Sequence, residues 1–399
     1  MSLPTVETAL AQMLGVVEAL PPVAVPVADA DGRWLMEPVT ASRDQPPFDA
    51  SAMDGWAVRA LDVTTATTLA IVGESAAGHG AGLVLGVGQT VRISTGAPLP
   101  QGADRVIMQE DAERRGDQLA CGPAGSTSSH VRTRGCDFHD GEILLAAGER
   151  LNPWRLALAA SAGAGFLSCG ARPRVAILAT GDELVEPGQA AGPDQIFNSG
   201  APALGAFVAR HGGEARRLAV VGDSQAAIVD ATSAEEFDLL VTVGGASVGD
   251  HDLVKPALRG QGAVLHVEGV AVRPGKPVWF ALLADGRPVL GLPGNPASAL
   301  VCAELFLAPL LAKLQGAAAE DRFETAVLAS GLPANGPRDH YIRARSVAGP
   351  NGARLVTPFA NQDSSLVTIM AAANVLIRRQ PNAPAVEAGA VVDVLGPTL

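Results

Sequence analysis

The sequence predicts a multidomain α/β chain: a parallel-sheet α/β unit flanked by two β-rich regions and a small helical one. Three observations carry this. The 399 residues exceed what one core usually organises, at roughly 100 to 200 residues per domain. From Arg172 onward, short apolar runs without polar alternation take turns with helical spacing, the texture of strands covered on both faces. On either side of that stretch, Gly, Pro and Thr punctuate short β-like runs.

At the start of the chain, Val6, Ala9, Leu10, Met13, Leu14 and Val17 recur at helical spacing and give an amphipathic opening helix. A short apolar strand and the turn Asp29 to Gly32 come next. From Ser42 to about Gly141, runs such as Leu69 to Val72 and Arg105 to Met108 read as an all-β insertion. Asn152 before Pro153 is an N-cap with proline at the first helical position, and that helix fades near Gly163. It is expected to return and pack on the opening helix.

In the α/β unit, Val175 to Ala179, Leu218 to Val221 and Leu239 to Val243 read as strands. Leu204, Phe207, Val208 and His211 mark one intervening helix, and Ala226 to Phe237 another. A hairpin at Asp285-Gly286 precedes a helix from Pro296 to Leu314, which Pro309 should kink or shorten. After about Asp321 the pattern is β-like again, with Pro350-Asn351-Gly352 as a hairpin turn. The boundaries expected are 1–44 with 142–171 for a discontinuous helical and linker domain, 45–141 for the β-rich insertion, 172–317 for the α/β domain and 318–399 for a small, barrel-like β domain. There is no internal repeat.

Composition excludes several classes. A net charge of −12 with no Lys/Arg cluster argues against a nucleic-acid surface and for a small partner. Cys121, Cys136, Cys169 and Cys302 form no C-x-x-C pair, which suggests reduced thiols and a cytoplasmic setting. Glu7 and the lack of Lys or Arg before Arg33 leave the N-terminus without the basic start of a signal peptide. The uncharged stretch Leu156 to Ala171 is interrupted by Gly163, Gly165 and Gly170 and is shorter than the roughly 20 residues of a membrane helix. No membrane association is expected.

Chemistry should gather beyond the carboxyl ends of the parallel strands, where open α/β sheets bind ligands. Three loops belong there: ATGDELV, VGGASVGDHD and GLPGNPAS. Gly244 and Gly245 let backbone N–H groups converge on an anion, with Ser247 and Gly249 in the same turn. Asp182, Glu183, Asp250 and Asp252 are hard oxygen donors suited to Mg²⁺, which accompanies phosphate. Arg273 and Lys276 in VRPGKP could neutralise phosphate from the other side, and the helix starting near Pro296 offers free N–H groups. Each motif alone is ordinary turn or cap chemistry, and Asp49 and Asp54 in PPFDASAMDGWA suit local Asx-turns. The conjunction makes the case.

A rival sits inside the second loop. Gly245-Ala246-Ser247-Val248-Gly249 is a literal G-x-S-x-G, His211-Gly212-Gly213 mimics an oxyanion-hole motif, and His266 or His340 could serve as base for a Ser247 hydrolase. Yet an elbow leads directly into a helix, whereas Asp250-His251-Asp252 intervenes and Pro256 limits any helix beyond them. Gly212 is explained by a helix C-cap. The histidines form no H-E-x-x-H pair, and His79, His130 and His139 fall in loops expected to be exposed.

PPFDASAMDGWAVR, STGAPLPQGADRVIMQE, ATGDELV, GGASVGDHD, RPGKP and GLPGNPAS occur in this order, and with them the chain resembles the molybdopterin molybdenumtransferase family of MoeA and the gephyrin E-domain. The resemblance runs from the opening helix to the C-terminal β domain. It implies a doubly wound molybdopterin-binding domain within an elongated multidomain subunit, working as a homodimer. It also implies insertion of molybdate into adenylylated molybdopterin with Mg²⁺-dependent loss of AMP. By motif, the family's functional carboxylates fall on Asp54, Asp137, Glu183, Asp223 and Asp252, with Thr95, Pro293 and Pro296 matching as well. Substrate contacts then fall on Gly244, Gly245, Ser247, Gly249, Arg273, Lys276 and the 293–298 loop, which supplies Pro293, Gly294, Asn295, Pro296 and Ser298. Metal would lie on Asp182, Glu183 and Asp252, and Asp54 would position molybdate-derived oxygen or a water. In the family the site forms between the doubly wound domain of one subunit and the β domain of the other. Transient contacts with a molybdopterin adenylyltransferase and with molybdoenzyme maturation factors are the further partners implied.

Ala50 and Gly200 stand where the family commonly has Asn, which bears on fine substrate contacts. Cys136 beside Asp137 is also unusual. A molybdopterin adenylyltransferase shares the doubly wound unit but usually carries Thr-Gly where Ser247-Val248 stands and lacks the flanking domains. A non-catalytic scaffold would fold the same way and show no molybdate-dependent activity.

Overall fold

The computed structural model describes residues 3–63, 67–121, 128–222, 224–233, 236–245, 253–317, 322–349 and 352–396. Its centre is a six-stranded sheet built from β1 (Arg174–Ala179), β2 (Glu214–Arg217), β3 (Leu239–Val243), β4 (Val264–Glu268), β5 (Trp279–Leu282) and β6 (Pro288–Leu292). The spatial order is β2-β1-β3-β6-β5-β4, parallel from β2 to β6 and antiparallel across the β6-β5-β4 edge. The hairpin joining β5 and β6 turns at Gly286, whose φ of 86° suits glycine.

Both faces of this sheet are covered, which is why its inner strands lack polar alternation. Alternate residues Val175, Ile177, Val241 and Leu290 pack beneath α3 (Gly200–Arg210), α6 (Pro296–Cys302) and α7 (Ala308–Leu314). The interleaved Ala176, Leu178, Leu240 and Val289 pack against α4 (Gln225–Ser233) and α5 (Val254–Gly260). Each fully buried Leu or Val contributes on the order of 1.5–3 kcal/mol over leaving it exposed.

The expected strand at Leu218–Val221 lies earlier, at Glu214–Arg217. As the sheet's edge it is exposed at all four residues, so polar side chains are tolerated and hydrophobicity misplaces it. The apolar residues beyond it still track β1, through Leu218 N–H to the Ile177 carbonyl and Val221 N–H to that of Ala179.

The expected pairing of the two N-terminal helices does not occur. The opening helix α1 (Val6–Leu14), capped by Thr5 Oγ1 on the Thr8 N–H, packs through Val6, Ala9 and Met13 onto the core of the α/β unit, beside α7. α2 (Pro153–Ser161), capped by Asn152 Oδ1 on the Arg155 N–H, joins a separate core with Val25, Leu35, Leu145 and Leu167. Amphipathic spacing identified both stripes, but it carries no information about which core receives them.

The insertion holds a six-stranded sheet in the order Arg105–Met108, Gly55–Val58, Gln89–Ile93, Thr67–Ser75, Gln118–Cys121, Ala112–Arg115. It carries an apolar cluster on each side. Gly55 is obligatory here, because a Cβ would stand 1.9 Å from the Ile107 carbonyl oxygen.

At the other end of the chain, Phe323–Leu328, Asp339–Ala348, Arg354–Pro358, Val375–Arg379 and Val391–Leu395 close on themselves, since Asp339–Ala348 pairs with both Arg354–Pro358 and Val375–Arg379. This is a small barrel. The hairpin of Asp339–Ala348 and Arg354–Pro358 is present, while Pro350 and Asn351 of its expected turn lie outside the described residues.

Pro309 does not end the long helix. The run passes from α6 through a π-helical segment, Ala303–Leu307, into α7, where Pro309 sits in the first turn. The wider π turn accommodates the missing proline N–H and its ring without a break in the run. By length and composition Pro296–Leu314 could cross a membrane, but 78% of it is buried inside the fold, as a core helix.

Candidate active site

The loops after β1, β3 and β6 meet at the carboxyl ends of neighbouring strands, and β1 and β3 flank the point where the strand order reverses. The first loop begins at Thr180, bonded through its N–H to the Val243 carbonyl at 3.1 Å. Gly181 is next, with φ 144°, and a Cβ there would stand 2.3 Å from Glu183 Oε2. The glycine makes room for Glu183 to curl its carboxylate back over the strand end. Asp182 turns the other way, its Oδ1 2.6 Å from where a Cβ on Gly222 would sit.

The second loop starts at Gly244 and Gly245, with φ of 93° and 57°. Both are in the left-handed region that favours glycine, and the Gly244 N–H is turned to the Leu292 carbonyl at 3.4 Å, which leaves the Gly245 N–H as the turn's donor toward an anion. Packing requires the first glycine too, because a Cβ on Gly244 would be 2.5 Å from the Thr180 carbonyl oxygen. Gly294 of the third loop lies against it, its Cβ position 3.5 Å from Gly244 Cα. Pro293 and Ser298 are buried, whereas Gly294 and Asn295 are exposed. Asn295, the N-cap residue of α6, donates from Nδ2 to Ser364 Oγ at 3.1 Å rather than capping the helix with its side chain.

Ser364 belongs to a loop of the C-terminal barrel that sequence reasoning did not single out. Buried Arg343 holds that loop, donating to Gln362 Oε1 and to the Asp363 carbonyl. The Ser365 N–H and hydroxyl hold the Asp363 carboxyl below the usual range. The polar run Asn361 to Ser365 was the available signal, since such runs bond their own backbone.

Arg273 and Lys276 are exposed at the same junction. Val272–Arg273 adds a strand to the barrel, pairing Arg273 with His340. Between them Gly275 has no room for a side chain, since a Cβ would lie 2.1 Å from Cys302 Sγ in α6. The basic loop is thus packed against the last residue of α6.

His340 registers this crowding: burial first, then the Arg273, Arg343 and Arg338 charges, lower its pKa to about 4. The folded chain therefore resists protonation that the unfolded chain accepts below about 6.5. Between those values the unfolded state binds more protons, so this term makes stability rise with pH and fall on acidification. It should remove about 2–3 kcal/mol between pH 7 and 4.5. Urea titrations should show His340→Gln losing less stability over that interval than the parent; equal losses would contradict the assignment.

Asp54 and Thr95 come together in the insertion. Asp54 Oδ1 accepts from the Thr95 N–H at 2.7 Å, and that bond with the Thr95 hydroxyl keeps the exposed carboxyl below its ordinary range. The local Asx-turns expected of Asp49 and Asp54 are replaced by these longer links, for Asp49 Oδ1 accepts from the Arg134 N–H at 2.8 Å. Ser51 makes the local turn instead, through Oγ to Met53. Asp137 is exposed in a loop tied down by Asp44, which takes the Asp140 N–H and Arg134 Nε. His130 is only partly exposed, at φ 52°, with Nε2 shielded and unpaired, in contrast to His79 and His139.

Asp223, Ser247, Gly249, Asp250 and Asp252 lie outside the described residues. Among the described residues no three His, Cys, Asp or Glu side chains converge as a metal group. Glu183, exposed and curled over the strand end, fits Mg²⁺ as a single hard-oxygen ligand, since that ion is commonly held by one or two carboxylates with phosphate and water completing its shell, while Asp182 turns away from it.

Comparison with known proteins covers all three regions. Residues 4–163 match the MoeA N-terminal region (domain I and II), 176–313 a probable molybdopterin binding domain, and 325–396 the MoeA C-terminal region (domain IV). A molybdopterin molybdenumtransferase from Nostoc sp. is 37% identical over 324 residues, 78% of this chain and 74% of the relative. One from Bacillus subtilis is 34% identical over 385 residues, 93% of this chain and 89% of the relative. Among solved structures, the molybdopterin biosynthesis MoeA protein from Pyrococcus horikosii superposes with a TM-score of 0.82 at 29% identity, covering 99% of both chains. The chain belongs to the molybdopterin molybdenumtransferase family.

Proposed function

We propose that this protein transfers molybdenum from molybdate into adenylylated molybdopterin and releases AMP, with Mg²⁺ bound at the Asp182-Glu183 loop. The observation that carries the reading is the meeting of the Gly244-Gly245 turn, the Pro293–Ser298 loop and the Glu183 carboxylate at one end of one parallel sheet. The Gly245 N–H takes a phosphate oxygen, the Gly244 N–H being held by the Leu292 carbonyl, and the exposed Arg273 and Lys276 balance the phosphate charge. Pro293, Gly294, Asn295, Pro296 and Ser298 shape the opposite wall. When bound, Mg²⁺ supplies charge stabilisation for the phosphoanhydride as AMP departs.

Asp54, held in place by the Thr95 N–H, positions molybdate-derived oxygen or a water. In this reading it reaches the cleft from a second subunit, and sedimentation should give twice the 40.5 kDa chain mass. Asp137, Asp223, Asp252, Ser247 and Gly249 take their roles from the family motifs. The cytoplasm is the setting proposed.

The test supplies purified protein with adenylylated molybdopterin and Mg²⁺. AMP should appear with molybdate and not without it. AMP attachment from ATP would instead favour an adenylyltransferase, no turnover a scaffold, and fluorophosphonate labelling of Ser247 a hydrolase.

A further inference from the structure

We propose that Thr180 is a ligand-binding residue whose hydroxyl donates a hydrogen bond to a phosphate oxygen held at the Gly244-Gly245 turn. This deepens the reading of that turn as a phosphate cradle and rests on it.

Thr180 is 4% exposed, and its Oγ1 is shielded from solvent without a hydrogen-bond partner. A buried hydroxyl left unpaired is destabilising, and an acceptor on a ligand would relieve it. The position of Thr180 beside the glycine turn puts such an acceptor within reach. The oxygen lies 3.2 Å and 3.3 Å from where Cβ atoms of Gly244 and Gly245 would stand, so main chain without side chains covers it. Gly244 is tied through its N–H to the Leu292 carbonyl at 3.4 Å, whereas Gly245, at φ 57°, keeps the freedom of glycine to move among such backbone conformations. A small turn of that cover brings the hydroxyl against an anion in the nest. The neutral O–H suits a phosphate oxygen, which offers acceptors and no competing donor.

The sheet contains its own control. Thr242 Oγ1 is equally buried and unpaired, on the same face as Thr180. It lies within β3 opposite Gly291, whose missing Cβ makes way for the Trp279 ring at 2.0 Å. That placement gives it core surroundings and no part in the nest.

Inorganic pyrophosphate is the probe, titrated calorimetrically into the full chain with Mg²⁺. Thr180→Val keeps the branched shape and removes the donor, and Thr180→Ser keeps the donor. The parent and Thr180→Ser should bind comparably, and Thr180→Val should bind about 10- to 100-fold more weakly, the range of a hydrogen bond to a charged group. Its melting temperature should be unchanged or higher, because a buried orphan hydroxyl has gone. Thr242→Val should match that stability and bind like the parent. Equal binding by Thr180→Val, equal weakening in Thr242→Val, a destabilised Thr180→Val or no binding by the parent would each overturn the proposal. Molybdate-dependent AMP release by the parent is read separately, so failure of the overall reaction is distinguishable from failure of this assignment.

Discussion

Glu183→Ala should lower molybdate-dependent AMP release by on the order of 10²–10³-fold, the equivalent of several kcal/mol of transition-state charge stabilisation. Its melting temperature should stay within about 2 °C of the parent, because exposed side chains away from packing change stability little. Glu183 is exposed and its carboxylate curls over Gly181, so no core contact is lost. Glu183→Gln keeps the shape and should fail nearly as badly, since the charge has gone. Raising Mg²⁺ should partly rescue both variants if the defect is metal affinity. Activity near the parent value in Glu183→Ala would remove this carboxylate from the mechanism.

Gly244→Ala should be harmful in two ways. At φ 93° an L side chain is strained, and its Cβ would approach the Thr180 carbonyl oxygen to 2.5 Å. Together these should cost about 2–4 kcal/mol of stability and displace the Gly245 N–H from the phosphate, abolishing measurable turnover. Gly286→Ala separates the two effects. Its φ of 86° is as unfavourable, yet nothing stands within 4 Å of the new Cβ. It should lose only about 1–2 kcal/mol and keep full activity. Denaturant titration checks the stabilities; comparable turnover in the two variants would contradict a role for Gly244 in binding.

Much of the fold was legible because burial on both faces leaves a mark that sequence carries directly. Leu239 to Val243 is apolar throughout apart from Thr242 and is the central strand. The edge strand Glu214–Arg217 was misplaced for the converse reason, since its backbone pairs while its side chains remain in water. The partners of α1 and α2 were likewise beyond local pattern: an apolar stripe specifies that a face is buried, not against what.

The candidate site divides along the same line. Glycine turns, adjacent carboxylates and the PGNP loop are local motifs, and they were found. Asp54 with Thr95, Arg343 with the 362–363 loop, and Thr180 beneath the glycines are relations across the fold. Only ordered family motifs had linked Asp54 to Thr95. Nothing in the residues alone announces that Thr180 has an unpaired hydroxyl.

Phosphoanhydride cleavage at this sheet end is expected to be coupled to molybdenum transfer. Single-turnover assays with adenylylated molybdopterin and Mg²⁺ should therefore count AMP released against molybdenum bound to the pterin as molybdate is titrated. Equal amounts of both products are expected in the parent, and in Glu183→Ala both should be slowed together. AMP released at the same rate without molybdate, or molybdenum bound without AMP release, would contradict it.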